Sequence, residues 1–381
     1  MTDTAAFDPS RRRWLQAGGL GIAAAVLAPA AAAARAGSPA PGGAAPAGPI
    51  RLDLNESSYG PSPRVATAVQ RALADLPRYV TAAQADALQR QIAALEGVAP
   101  EQVIIGEVLE ALGQHLAIDQ GGGEFVYSVP GYGALVDAAA PFGGRAVEVP
   151  LDARLGNDLP ALAAAVGPDT RALYLVNPHN PSGTLSDGAA FDTFVLAAAR
   201  RTLVIVDEAY LDYRDDFARL TAARHLRAGA NVAVFRTFGK LHALAGLQIG
   251  YVLAPRPLAD ALRRRGVGDA HALNQLSIAA ASASLADPGY LAGVRRQVAA
   301  ERVRWLQVLD GLGLRYAQPA ASFVFFDAGR PQPQVAAGLL ARGVQIGRPF
   351  PPYATWARIT IGRPEENATA QRALREVLAA G

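Results

Sequence analysis

Ala172-Leu173-Tyr174-Leu175-Val176 runs directly into Asn177-Pro178-His179-Asn180-Pro181-Ser182-Gly183. Five apolar residues without polar alternation suit a strand covered on both faces, and the turn residues that follow end it. The pattern recurs downstream. Leu203–Val206 gives way to Asp207-Glu208-Ala209-Tyr210, and Val232–Arg236 to Thr237-Phe238-Gly239-Lys240. Upstream, Glu124–Tyr127 leads to Pro130-Gly131-Tyr132, and further strands are expected at Val103–Ile105, Arg145–Val149 and Ile249–Leu253. Helical patterns at Thr81–Leu95, Glu107–Asp119, Gly133–Phe142, Leu159–Val166 and Gly188–Arg200 separate most of these runs. Such alternation predicts an α/β large domain, with a mostly parallel seven-stranded sheet covered by helices. In sheets of this kind ligands sit beyond the carboxyl ends of the strands, where the polar residues quoted above would converge.

Past residue 255 the pattern changes. A long helical stretch, Leu291 to Leu309, precedes strands at Phe323–Phe326 and Arg358–Ile361 and a closing helix, the makings of a smaller α+β domain. The expected organisation is therefore a leader at 1–36, a linker and N-terminal arm at 37–83, a large domain at 84–255 and a small domain at 256–381. The arm contains Leu52-Asp53-Leu54-Asn55-Glu56 and turns at Tyr59-Gly60-Pro61. The leader reads as an address. Ser10-Arg11-Arg12-Arg13-Trp14-Leu15-Gln16 matches a twin-arginine export pattern, followed by the apolar stretch Ala17 to Leu27 and a small-x-small cleavage site at Ala34-Arg35-Ala36. Export to the periplasm or beyond is the expectation, with no stable membrane insertion after cleavage, because the stretch falls short of the ~20 apolar residues of a span.

Composition narrows the chemistry. The 381 residues include no cysteine, which excludes a disulfide scaffold, a thiolate metal site and a cysteine nucleophile. Five scattered histidines show no metal-ligand spacing, so no metal is expected. Losing the leader removes four Arg and two Asp, lowering the net charge from +3 to +1, and leaves no basic face for nucleic acid. Of 36 basic residues, Lys240 is the only lysine. A codon bias toward arginine explains the scarcity but not the survivor. Arginine replaces lysine as surface charge but not as an amine nucleophile. Composition alone leaves chance and chemistry both open.

The neighbourhood of Lys240 decides. An amine, a carboxylate, an amide and two phenols gathered in one crevice are what pyridoxal phosphate needs: covalent attachment, a partner for the ring nitrogen, and donors to the ring oxygen. The motifs Asn177–Gly183, Val206–Tyr210, Arg236–Lys240 with Leu244-Ala245-Gly246-Leu247 following, and Arg358-Ile359-Thr360-Ile361-Gly362 occur in that order. Together they resemble fold-type I pyridoxal-phosphate aminotransferases, most of all the histidinol-phosphate aminotransferase group, over most of residues 50–380. The resemblance puts Lys240 at the covalent attachment point and as proton shuttle, and Asp207 at the ring nitrogen. It puts Asn180 and Tyr210 at the ring oxygen and Tyr132 against the ring, with Thr237 and Gly106 beside the cofactor. Arg358 would clamp the substrate carboxylate and Arg348 would face its distal end, with Asn55 and Tyr59 completing the substrate side. Tyr59 would reach the phosphate region of the neighbouring subunit, implying a homodimer.

The resemblance implies transfer of an amino group between a small amino acid and a 2-oxo acid. Decarboxylation, racemisation or elimination on the same cofactor, and a degenerate non-catalytic binder, are the other readings. Departures from the family fall on the phosphate cup. Gly239 replaces a serine, Gln248 an arginine, and Gly106-Glu107-Val108-Leu109-Glu110 a hydroxyl-bearing helix start. Thr237 and Arg236 stand as candidate compensators.

Overall fold

A computed structural model of the protein describes residues 48–119 and 121–380, so the export pattern, its cleavage site and most of the linker lie outside the described residues. The strands are β1 (Ile50–Leu52), β2 (Val103–Gly106), β3 (Gly123–Val129), β4 (Gly144–Pro150), β5 (Thr170–Val176), β6 (Leu203–Asp207), β7 (Val232–Thr237), β8 (Gly250–Leu253), β9 (Phe323–Asp327), β10 (Val344–Ile346) and β11 (Trp356–Thr360). Seven of them form one sheet in the order β2-β8-β7-β6-β5-β3-β4. Only β8 runs against its neighbours, pairing antiparallel with both β2 and β7. The mostly parallel sheet read from the apolar runs is the one observed.

Side chains on a strand alternate between faces, and here both faces are buried. Ile105, Leu173, Leu175, Val204, Val206, Val232 and Val234 enter one core. Ile104, Ala172, Tyr174, Val176, Leu203, Ile205 and Ala233 enter the other. Unbroken apolar runs are what such a sheet requires.

Packing runs across the boundaries placed at 83 and 255. Ala259 and Leu262 of the helix Arg256–Arg264 join one sheet core. Ile278, Ala280 and Ala281 of the helix Gln275–Leu285 join the other. That second helix is mostly Ala and Ser, so it offers little periodic contrast to read. The arm contains a helix, Pro63–Ala72, whose Val65 is buried in the same core. Ser62 caps it and Pro63 occupies its first turn, a start signal present in the sequence but hidden among turn-forming residues. Proline at position 288 likewise begins the long helix earlier than expected, at Pro288–Gly311, with Asp287 as its cap.

The remaining strands form two small pairs. β9 pairs antiparallel with β11, placing Arg358 opposite Phe325. β1 of the arm pairs parallel with β10, Ile50 opposite Val344. Leu52, Trp305, Phe323, Phe326, Val344, Ile359 and Leu374 share their core, so the first strand of the arm belongs to the C-terminal layer.

Candidate active site

A cavity of about 510 Å³ opens where the carboxyl ends of β5, β6 and β7 meet the segment after β1 and residues Arg348, Phe350 and Arg358. Asp207, the last residue of β6, is the one buried carboxylate on its lining, 2% exposed. Its Oδ1 accepts the Ala209 N–H at 3.0 Å and its Oδ2 the Tyr174 hydroxyl at 2.9 Å. Burial pushes the Asp207 carboxyl up to about 6, and those two donors and the charge of Lys240 hold it from rising further. Lys240 follows β7 by three residues, its Nζ donating to the Leu54 carbonyl at 3.1 Å and lying 5.7 Å from the Tyr210 ring centre.

Tyr210 is buried edge-on against Phe323, and its hydroxyl accepts the Asn55 Nδ2 at 3.1 Å. Asn55 takes a left-handed conformation (φ 56°) that asparagine tolerates. Thr360 locks it there, accepting its N–H at 3.0 Å and donating to its Oδ1 at 3.1 Å. Arg358 projects from β11 and is almost wholly buried. Its Nη1 donates to Asn180 Oδ1 and its Nη2 to the Asp53 carbonyl, both at 2.6 Å, while Nε has no partner. The guanidinium carbon also lies 5.5 and 5.0 Å from the ring centres of Phe323 and Phe350. Arg348 lies exposed over Phe350 at 4.6 Å.

Tyr132 stands at the rim. Glycine is required before it, because a Cβ on Gly131 would fall 2.2 Å from the Ser128 carbonyl oxygen. Burial, then the carboxylates of Glu110 and Asp207, push the Tyr132 phenol up to about 12. Gly106, Glu107, Glu110, Thr237, Gly239 and Gln248 line the side near the start of the helix Val108–Asp119.

Most of the expected residues meet: Asn55, Gly106, Tyr132, Asn180, Asp207, Tyr210, Thr237, Lys240, Arg348 and Arg358 all line this one cavity. Tyr59 does not. Its hydroxyl donates to the Gly362 carbonyl at 3.4 Å, and it borders a separate surface pocket. Asn55 braces Tyr210 and lines the cavity on which a substrate role is expected of it. Arg236 corrects the sequence reading outright. As a β7 residue it points away from the cavity into a buried acid cluster, pairing with Glu208 at 3.0 Å, Glu96 at 3.7 Å and Asp212. It is no compensator at the phosphate cup. Tyr174 was missed, although a lone hydroxyl inside an apolar strand needs a partner and so carries a signal. The Asp53 and Leu54 carbonyls had none. Among the described residues no group of three or more His, Cys, Asp or Glu side chains is placed to hold a metal ion.

Residues 47–374 match the family profile described as aminotransferase class I and II. The chain is 37% identical over 338 residues to a histidinol-phosphate aminotransferase of Moorella thermoacetica, covering 87% of this chain and 86% of the relative. Among solved structures it is similar to a putative histidinol-phosphate aminotransferase of Erwinia carotovora atroseptica, with a TM-score of 0.79 and 28% identity over 86% of this chain and 95% of that one. It is also similar to the histidinol-phosphate aminotransferase of Sinorhizobium meliloti in complex with pyridoxal-5′-phosphate, with a TM-score of 0.76 and 30% identity over 87% and 91%.

Proposed function

The chain belongs to the class I and II aminotransferases and uses pyridoxal 5′-phosphate, and from that premise we propose that it acts after export, moving an amino group between a small amino acid and a 2-oxo acid. The observation that carries this reading is the joint placement of Lys240, the buried Asp207 and the anchored Arg358 on one cavity. The donor set fits the cofactor's ring: Asp207 suits a protonated ring nitrogen, and Tyr210 and Asn180 suit its ring oxygen. Asn180 gives its Oδ1 to Arg358, which leaves its amide hydrogens for that oxygen. Tyr132, on the cavity lining, would cover the ring face. When bound, the cofactor draws electrons from the bonds around the amino-bearing carbon.

The protein's own residues supply the rest. Lys240 holds the cofactor and moves the proton of the amino-bearing carbon through Nζ, its reach set by the Leu54 carbonyl. Arg358 binds the substrate carboxylate with its guanidinium already oriented by Asn180, the Asp53 carbonyl and two phenyl rings, so little reordering is needed. Amino transfer requires that this carboxylate lie near the plane of the cofactor ring, so that the C–H bond rather than the bond to the carboxylate stands perpendicular to it. Arg348, at the mouth, meets the distal end of the substrate.

Export is supported by Ser10–Gln16 and the cleavage pattern at Ala34–Ala36. Among the described residues no helix is long and apolar enough to cross a membrane. A homodimer is supported by Leu54, Leu73, Leu76 and Tyr79, large apolar side chains left exposed along the arm, the first of them on the cavity lining. The test expresses the full chain, separates exported from cytoplasmic fractions, and assays each with pyridoxal phosphate against panels of amino acids and 2-oxo acids. New amino acid should form from a 2-oxo acid in the exported fraction. Lys240→Ala should abolish that activity, and the Arg11→Lys, Arg12→Lys double variant should leave it in the cytoplasm. Release of carbon dioxide or a racemised donor without amino transfer would move the assignment to a decarboxylase or racemase. Unchanged export of the double variant would overturn the route.

A further inference from the structure

The cofactor's ring oxygen and its phosphate-bearing arm flank the carbon that joins lysine, on opposite sides. With Tyr210 and Asn180 toward the oxygen, the phosphate is directed to the other wall, formed by Gly106, Glu107, Glu110, Thr237, Gly239 and Gln248. Among the described residues, that wall carries no basic side chain. The cavity's cations are Lys240, Arg348 and Arg358, and the two arginines lie with Phe350 on the substrate side. Arg236, one residue before Thr237, is committed to its buried carboxylates. Two exposed carboxylates, Glu107 and Glu110, face the space instead.

The neutral donors are few. Thr237 Oγ1 accepts the Gly239 N–H at 3.0 Å, which leaves its own hydrogen to give. A hydroxyl cannot simply be added next door, because a Cβ on Gly239 would stand 3.2 Å from that same Oγ1 and 3.5 Å from Ala245 Cα. Gln248, in a left-handed turn (φ 47°), offers an amide. Backbone N–H groups opening the helix Val108–Asp119 complete the set.

We propose that this wall receives the cofactor's 5′ substituent without a cationic side chain, so that the chain binds the unphosphorylated aldehyde pyridoxal about as well as its phosphate ester. Recognition then rests on the ring contacts of Asp207, Tyr210, Asn180 and Tyr132. Glu107 and Glu110 cancel much of what the neutral donors gain from a phosphate dianion. The inference rests on the cofactor reading above, and its test separates the two.

Cofactor-free protein is titrated with pyridoxal phosphate and with pyridoxal, followed by visible absorbance and protein fluorescence, at low and high salt. The two affinities should agree to within about tenfold. Binding of the phosphate ester should hold or strengthen as salt screens the carboxylates, where a cationic site would weaken. Gln248→Arg, which keeps an L residue at the same backbone angles, should tighten the phosphate ester roughly ten- to a hundred-fold through a charge-assisted hydrogen bond. Glu107→Gln, at an exposed position, should tighten it in the same direction, and neither variant should change pyridoxal. A preference of about a thousandfold or more for the phosphate ester, or affinity that falls with salt, would overturn the inference while leaving the cofactor reading intact. Failure of the folded protein to bind either aldehyde would overturn both.

Discussion

Asp207 is pulled in two directions: burial disfavours its charge, while Tyr174, Ala209 and Lys240 favour it, and the carboxyl settles at about 6. Below that pH the cofactor-free protein presents a neutral acid where a protonated ring nitrogen needs a carboxylate. Affinity for pyridoxal phosphate should therefore fall as pH drops through about 6, by up to roughly tenfold per unit. Asp207→Asn should bind weakly at every pH and show no such step. Tyr174→Phe should move the step upward, since it removes a hydrogen bond that favours the charged form. Titrations from pH 5 to 8 check this, and a flat wild-type profile would contradict it. At this scale the sequence was most readable where a residue ends a strand or comes within a few residues of its end, as Asp207, Tyr210, Asn180 and Lys240 do. Asn55 was harder to place, because its position depends on Thr360, 305 residues away. Arg236 was misjudged because strand alternation aims it opposite to its neighbour Thr237.

At the level of elements, Arg236 of β7 joins several parts of the fold under the site. It pairs with Glu208, which directly follows β6 and also accepts the Thr221 hydroxyl at 2.8 Å and the Ala222 N–H at 2.6 Å. It reaches Glu96 at the end of the helix Ala82–Glu96, which in turn accepts the Tyr251 hydroxyl from β8 at 2.6 Å. Three buried or half-buried carboxylates thus share one guanidinium. Arg236→Met would leave them without a counter-charge, and removing one partner of a buried pair costs about 3–5 kcal/mol. Denaturant unfolding of the cofactor-free variant should show that loss. Arg236→Lys should fall between, because one ammonium cannot fork toward three partners. Stability of Arg236→Met equal to wild type would show that the cluster is not coupled to folding. The strands of the large sheet were readable as unbroken apolar runs. The pairing of β1 with β10 was not, because three-residue strands carry no pattern of their own.

Over the whole molecule, burial also fixes neutral imidazoles in place. His179 is pushed down to about 3 and His242 to about 4, in each case chiefly by burial. His179 Nδ1 lies 3.1 Å from Ser182 Oγ, and its Nε2 has no partner. An unfolded chain takes up these protons near the ordinary 6.5, so between about 6.5 and 4 it binds more protons than the fold does. Each such histidine therefore contributes a decline of about 1.4 kcal/mol per pH unit as pH falls through that window, opposed there by Asp207 and Glu208, which burial pushes up to about 6 and about 7. His179→Gln should flatten the decline by about one proton's worth, measured as unfolding free energy at pH 7, 6 and 5; an unchanged slope would contradict it. A different kind of consequence follows from the tripeptide after β1. Asp53 gives its carbonyl to Arg358, Leu54 its carbonyl to Lys240, and Asn55 its amide to Tyr210. One inserted or deleted residue there would shift three contacts together. A deliberate length change belongs elsewhere, and the Gly- and Pro-rich stretch 37–49 is the place to make one. It is also where a grafted leader or tag should be joined.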